Sequence, residues 1–104
     1  MTEHEFKNLK VNDIIYNFTH SDLYSNRVVK VLYENYKFYI VLDNGPATYS
    51  DLWSSVFYLD EKQCKIDYIK WYRKYNAINY YEHSTKILDE KYKDFIKENI
   101  EYFI

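Results

Sequence analysis

The side chains best suited to catalysis are few and scattered along the chain: one thiol, Cys64, and three imidazoles, His4, His20 and His83. Cys64 falls on an aromatic arc, Cys64-Tyr68-Trp71-Tyr72-Tyr75, of a helix expected from Asp60 to about Tyr75. A small buried thiol is the default there, and no histidine is forced near it. One cysteine also excludes an internal disulfide and a cysteine-based zinc site. The histidines stand in three separated, loop-like places, with neither H-x-x-x-H nor H-E-x-x-H spacing, so no metal centre is expected. With one glycine in the chain there is no Gly-rich phosphate loop. Asp89-Glu90 reads as a carboxylate pair at a helix start, complementing the helix dipole. The expectation is a protein that is not an enzyme and needs no cofactor.

Two stretches carry side chains that bind rather than react. Ser21-Asp22-Leu23-Tyr24-Ser25 and Ser50-Asp51-Leu52-Trp53-Ser54 repeat the pattern S-D-L-aromatic-S. Each can form a short capped turn, a Ser or Asp oxygen accepting a backbone N–H while the Leu points inward. Side by side they would present Tyr24 and Trp53 with Asp22 and Asp51, either closing the bottom of the core or forming a rim for a protein partner. The second stretch is Lys70-Trp71-Tyr72-Arg73-Lys74-Tyr75. Lys70, Arg73 and Lys74 could track phosphates while the rings stack on unpaired bases, the chemistry of a weakly binding single-stranded nucleic-acid protein. Around a helix, however, those rings turn away from the cations. Residues 60–104 also hold nine basic and nine acidic side chains, so no strong field builds up.

The elements that must position these residues are an antiparallel hairpin and two helices. Asn26 to Asp43 alternates as two strands around a turn at Glu34-Asn35. That register sets Val31 opposite Phe38, Val29 opposite Ile40 and Tyr33 opposite Tyr36, with Val28 on the other face opposite Val41. Residues 1–8 read as a helical turn or a loose lead-in. Leu9 to Phe18 reads as a turn entering a strand, with Ile14, Tyr16 and Phe18 on one face. This stretch resembles the opening strand of SH3-like small barrels, where a L-x-x-G-D-x-V start is frequent. Asn12 stands here in place of that glycine. The resemblance implies a partial barrel and no particular function.

Asn44-Gly45-Pro46 closes the hairpin, and Val56 to Leu59 reads as a further short strand. Asp60-Glu61-Lys62-Gln63 has the spacing of a capping box. The helix it opens is apolar on two sides, because Ile66 and Ile69 lie opposite the aromatic arc. It is therefore either sandwiched or offers one side to a partner. A last helix is expected from about Lys86, with Leu88, Tyr92, Phe95, Ile96, Ile100 and Phe103 on one face. The sum is a single α+β domain over 1–104, β-rich over 9–59 and helical over 60–104. A small antiparallel sheet or partial SH3-like barrel built on the 26–43 hairpin would be covered by the two C-terminal helices.

Phe, Tyr, Met, Ile, Asn and Lys supply 52 of the 104 residues, and Gly, Ala, Arg and Pro only 6. The first set has AT-rich codons and the second GC-rich ones, which points to an AT-rich genome such as that of a low-GC bacterium, its plasmid or its phage. A net charge of −2 with mixed signs gives no polyanion-seeking character. No leader pattern and no membrane-length apolar run are seen, so a cytoplasmic protein is expected. These features together suggest a non-enzymatic protein-interaction module. It could be a phage- or plasmid-encoded accessory protein that docks on and modulates or inhibits a host protein such as a defence nuclease. A homodimer that buries the second helix face or a sheet edge is a further possibility.

Overall fold

A computed structural model describes residues 1–19, 22–43, 48–49 and 56–104, and the fold is α+β. Two compact units divide the chain, Met1–Cys64 and Lys65–Ile104. The first opens on α1 (Glu3–Lys7) and continues with β1 (Ile14–Phe18), β2 (Leu23–Glu34), β3 (Lys37–Leu42) and the short β4 (Thr48–Tyr49). The strands form one antiparallel sheet in the order β1-β2-β3-β4.

The β2–β3 hairpin turns at Asn35-Tyr36, one residue later than the alternation predicts. Glu34 pairs with Lys37, Tyr33 with Phe38 and Val31 with Ile40. Both turn residues have positive φ, 52° and 63°, as a primed two-residue turn requires. This register gives an oppositely charged cross-strand pair and an aromatic pair next to the turn, both favourable on a sheet surface. Because every partner moves by two residues, no side chain changes face. Val31, Phe38 and Ile40 still share one side.

A bulge at Val29 makes the second correction. Val28 pairs with Leu42 and Lys30 with Val41, leaving Val29 as the extra residue. Val28, expected on the mixed face, is fully buried beside Ile40 and Leu42, and Val29 is only half-buried. Asp43 closes the ladder beyond the bulge, its N–H donating to the Arg27 carbonyl and its Oδ1 accepting the Arg27 N–H, each at 3.0 Å.

The core of this unit is Phe6, Leu9, Ile15, Val28, Ile40, Leu42 and Phe57. In β1 the buried residue is Ile15, whereas Ile14, Tyr16 and Phe18 share the opposite face. Phe6 reaches the core because Thr2 and Glu5 cap α1 reciprocally. The Glu5 N–H donates to Thr2 Oγ1 at 3.1 Å, and the Thr2 N–H donates to Glu5 Oε1 at 2.8 Å. Its ring meets Phe38 edge to face at 6.2 Å. Asn12, where the barrel pattern carries Gly, holds φ 79° in the turn before β1. Residues 56–59 form no full strand. A single bridge joins Tyr58 to Tyr16, with N–H···O distances of 2.7 and 2.8 Å.

The long helix α2 (Glu61–Ile78) starts as the capping spacing predicts, with Asp60 Oδ1 accepting the Lys62 N–H at 3.0 Å. It runs three residues past the expected end and stops in a Schellman motif. The Tyr81 N–H donates to the Asn76 carbonyl at 2.7 Å and the Tyr80 N–H to that of Ala77 at 3.4 Å. Tyr80 occupies the left-handed position, φ 60°. Rings at Tyr75 and Tyr81, 6.3 Å apart, supply the apolar contact that accompanies this motif. Both sides of α2 are buried over its first half, Cys64 and Tyr68 on one and Ile66 and Ile69 on the other.

The last helix starts at Glu82 rather than Lys86 and comes in pieces: α3 (Glu82–Lys91), α4 (Lys93–Glu98) and a 3₁₀ turn, Ile100–Tyr102. Asn99 ends α4 by donating its side-chain Nδ2–H to the Phe95 carbonyl at 2.9 Å, competing with the backbone for that acceptor. Leu88 is buried and Tyr92, Phe95, Ile96 and Phe103 are half-buried, as the stripe predicts. Ile100, beyond the break, is exposed.

Candidate functional site

The hairpin joining β1 to β2 places the first expected binding pair. The Asp22 carbonyl accepts the Thr19 N–H at 2.9 Å, and its Oδ1 accepts the Leu23 N–H at 2.8 Å. Asp22 is thus the last residue before β2. Leu23, Tyr24 and Ser25 are already strand, paired with Phe18, Asn17 and Tyr16. This corrects the reading of the whole S-D-L-aromatic-S unit as a turn. Tyr24 is partly exposed and Asp22 exposed. Asp51 and Trp53 lie outside the described residues, as do His20 and the Asn44-Gly45-Pro46 segment.

The 70–75 segment lies wholly on α2, and its residues separate into two groups. Lys70 and Lys74, one turn apart, are exposed and form no ion pair among the described residues. Arg73 behaves differently. Its Nε donates to Asp89 Oδ1 at 2.9 Å, and its guanidinium carbon stands 5.5 Å from the centre of the Phe103 ring. The pair Asp89-Glu90, expected at a helix start, instead lies near the end of α3, where Asp89 neutralises Arg73. One of the three cations expected to meet phosphates is thus already engaged.

The rings of the same segment form a row. Tyr68 and Tyr72 stack at 5.7 Å, Trp71 and Tyr75 at 5.4 Å, Trp71 and Tyr72 at 6.2 Å, all within 27° of parallel. Tyr81 extends the row from beyond the helix end. A ring stacked on its neighbour offers fewer faces to an incoming base, and the row is better described as an apolar ridge. Helical spacing sets its outer edge: Trp71, Tyr75 and Ile78 stand at i, i+4 and i+7. Trp71 is 40% exposed and Ile78 66% exposed, and Tyr81 beside them is exposed as well. Lys70 and Lys74 lie together along one side of this stripe.

Ile78 and Tyr81 were not singled out by residue type, because the helix was expected to end at Tyr75. The signal that finds them is spacing, once α2 is known to reach Ile78. Cys64, the single cysteine of the chain, is buried. Among the described residues no three His, Cys, Asp or Glu side chains gather as a metal site would require. No helix among them is long and apolar enough to cross a membrane. No protein-family model, curated protein or solved structure matches the chain.

Proposed function

We propose that this chain is a non-enzymatic protein-interaction module that docks by laying the outer edge of α2 into an apolar groove of a partner. The observation that carries the reading is the stripe Trp71-Tyr75-Ile78 with Tyr81, partly exposed at the i, i+4, i+7 spacing by which amphipathic helices seat in grooves. Tryptophan and tyrosine supply much of the energy at protein interfaces. Lys70 and Lys74 beside the stripe suit a groove with an acidic rim. Small size and AT-biased coding suit an accessory protein of a phage or plasmid acting on a host protein, and a defence nuclease is one such target.

The test is capture from an AT-rich bacterial lysate by the immobilised chain, read by mass spectrometry. A Trp71→Ala/Ile78→Ser variant should lose the captured protein while its melting temperature stays within a few degrees of wild type. Tyr24→Ala should keep it. The reverse result would move docking to the β1–β2 hairpin, where Asp22 and Tyr24 lie. Retention by both variants refutes both surfaces.

Single-stranded nucleic acid is the competing class, favoured only by Lys70 and Lys74, which form no ion pair among the described residues and stand near aromatic rings. Saturable binding of a thymidine oligonucleotide at low salt, lost in a Lys70→Ala/Arg73→Ala/Lys74→Ala variant, would establish it in place of protein docking.

A further inference from the structure

The helical unit carries a second exposed feature, an open groove of about 360 Å³ lined by Arg73, Asp89, Lys93, Ile96, Lys97 and Ile100. Helix geometry sorts its lining. Lys93 and Lys97 stand four residues apart on α4, with Ile96 beside them. Ile100, in the 3₁₀ turn beyond Asn99, adds a second aliphatic side chain to the lining. Across from them Arg73 is held in place on two sides. Asp89 takes its Nε–H at 2.9 Å, and Phe103 lies against the guanidinium. The Nε edge is used, while Nη1 and Nη2 make no hydrogen bond to the described residues. Three cations against one carboxylate leave the groove positive, over a floor that is mostly apolar.

We propose that this groove binds an acidic amphipathic segment of a partner protein. A carboxylate sits between Arg73 and the two lysines, and a branched aliphatic side chain packs on Ile96 and Ile100. The proposal rests on the reading of the chain as a protein-interaction module and names the chemistry of its partner. A guanidinium oriented by Asp89 and Phe103 meets a carboxylate at little entropic cost, and the planar fork favours that geometry. An isoleucine floor rewards an aliphatic side chain and gives nothing to a sugar-phosphate chain. At 100° per residue Arg73 lies about 160° around α2 from Trp71, so groove and stripe can be tested separately.

The probe is a fluorescein-labelled acidic amphipathic peptide that repeats the unit Glu-Leu-Leu-Glu, titrated into the full chain at low salt. Saturable binding is expected, with amide shifts confined to residues 93–100 and a shift of the Arg73 Nε–H resonance. Lys93→Gln together with Lys97→Gln should weaken it about tenfold or more. Ile100→Ser, at an exposed position, should weaken it without unfolding the chain. Trp71→Ala should leave it unchanged, which distinguishes failure of the groove from failure of the α2 stripe. Any of these results overturns the proposal: no saturable binding; equal binding of a Lys-Leu peptide; shifts that map to Trp71 and Ile78; or the same resonances moving with protein concentration alone, which would make the occupant a second copy. Preference of the groove for a thymidine oligonucleotide over the peptide overturns it too.

Discussion

Replacing Tyr80 with glycine should stabilise the protein, although it deletes a large side chain. Tyr80 holds φ 60° at the position of the Schellman motif where glycine is usual, and it is 90% exposed. An L-residue in the left-handed region costs about 1–2 kcal/mol, which glycine does not. Against this, glycine loses more backbone freedom on folding, about 0.5–1 kcal/mol. With almost no side-chain burial to forfeit, the balance for Tyr80→Gly is a gain of about 0.5–1 kcal/mol. At about 4–8 °C per kcal/mol for a domain of this size, the melting temperature should rise by a few degrees. Urea denaturation followed by helical circular dichroism gives the free energy. Tyr80→Ala is the control, because it removes the same ring but keeps a Cβ in the left-handed region. The Ala variant should match wild type and the Gly variant should exceed both. Equal stability of Gly and Ala would refute the strain. A loss above about 1 kcal/mol in the Ala variant would show that the Tyr80 ring packs on something.

Three further outcomes are expected. Ile40→Ala, at a fully buried position of the sheet, should cost about 2–5 kcal/mol in the same denaturation assay, and a cost below 1 kcal/mol would contradict its place in the core. The Glu5 carboxyl is held below its ordinary value by the hydrogen bond from the Thr2 backbone and then by that of the Thr2 side chain. Its contribution is therefore fully present above the pKa of an unfolded glutamate and is lost as pH falls through the lower folded value. The stability difference between wild type and Glu5→Ala should shrink across that acid range; a gap that is constant with pH would show the carboxylate is not involved. For Arg73 and Asp89, each about a third exposed, a double-mutant cycle should give about 0.5–1 kcal/mol, falling with added salt. A coupling near zero would remove the orientation of Arg73 on which the groove depends.

The sheet was legible in the sequence wherever a side-chain period of two decides the answer. Val31, Phe38 and Ile40 share a face in either register, so the face could be read although the partners could not. Asn35 accepts positive φ at either turn position, and only the pairs Glu34–Lys37 and Tyr33–Phe38 select one. Val28 and Val29 are chemically identical, and nothing local says which of two adjacent valines is the bulge. In the helices, the aromatic arc and the last stripe follow from a 3.6 period. The pairing of Arg73 with Asp89 and the groove beside it depend on how α3 and α4 lie along α2, which no periodicity contains. The second half of the S-D-L-aromatic-S repeat, Asp51 and Trp53, falls outside the described residues.

Glycine scarcity explains a large part of what stayed hidden. Among the described residues the positive-φ positions are Asn12, Asn35, Tyr36 and Tyr80, and none is glycine. Turn signals rest on glycine because it alone visits this region without a Cβ clash. Here asparagine and tyrosine hold such positions, so the chain carries turns without their usual marks. The helix end at Tyr80 looks in the sequence like one more aromatic, and the hairpin turn at Tyr36 looks like one more strand residue. This also bears on function. Among the described residues Tyr36 and Tyr80 are the two most exposed tyrosines, at 94% and 90%, yet their placement follows from backbone geometry at a turn and a helix end. High exposure of a ring is therefore a poor marker of a binding anchor in this protein. Trp71 and Ile78 differ in kind, since each sits at an ordinary helical position that requires no positive φ. Their exposure has no backbone cause, and that contrast is why docking is proposed for the α2 stripe and not for the turn tyrosines. Capture of the partner should accordingly survive Tyr80→Gly and Tyr36→Gly and be lost in Trp71→Ala/Ile78→Ser.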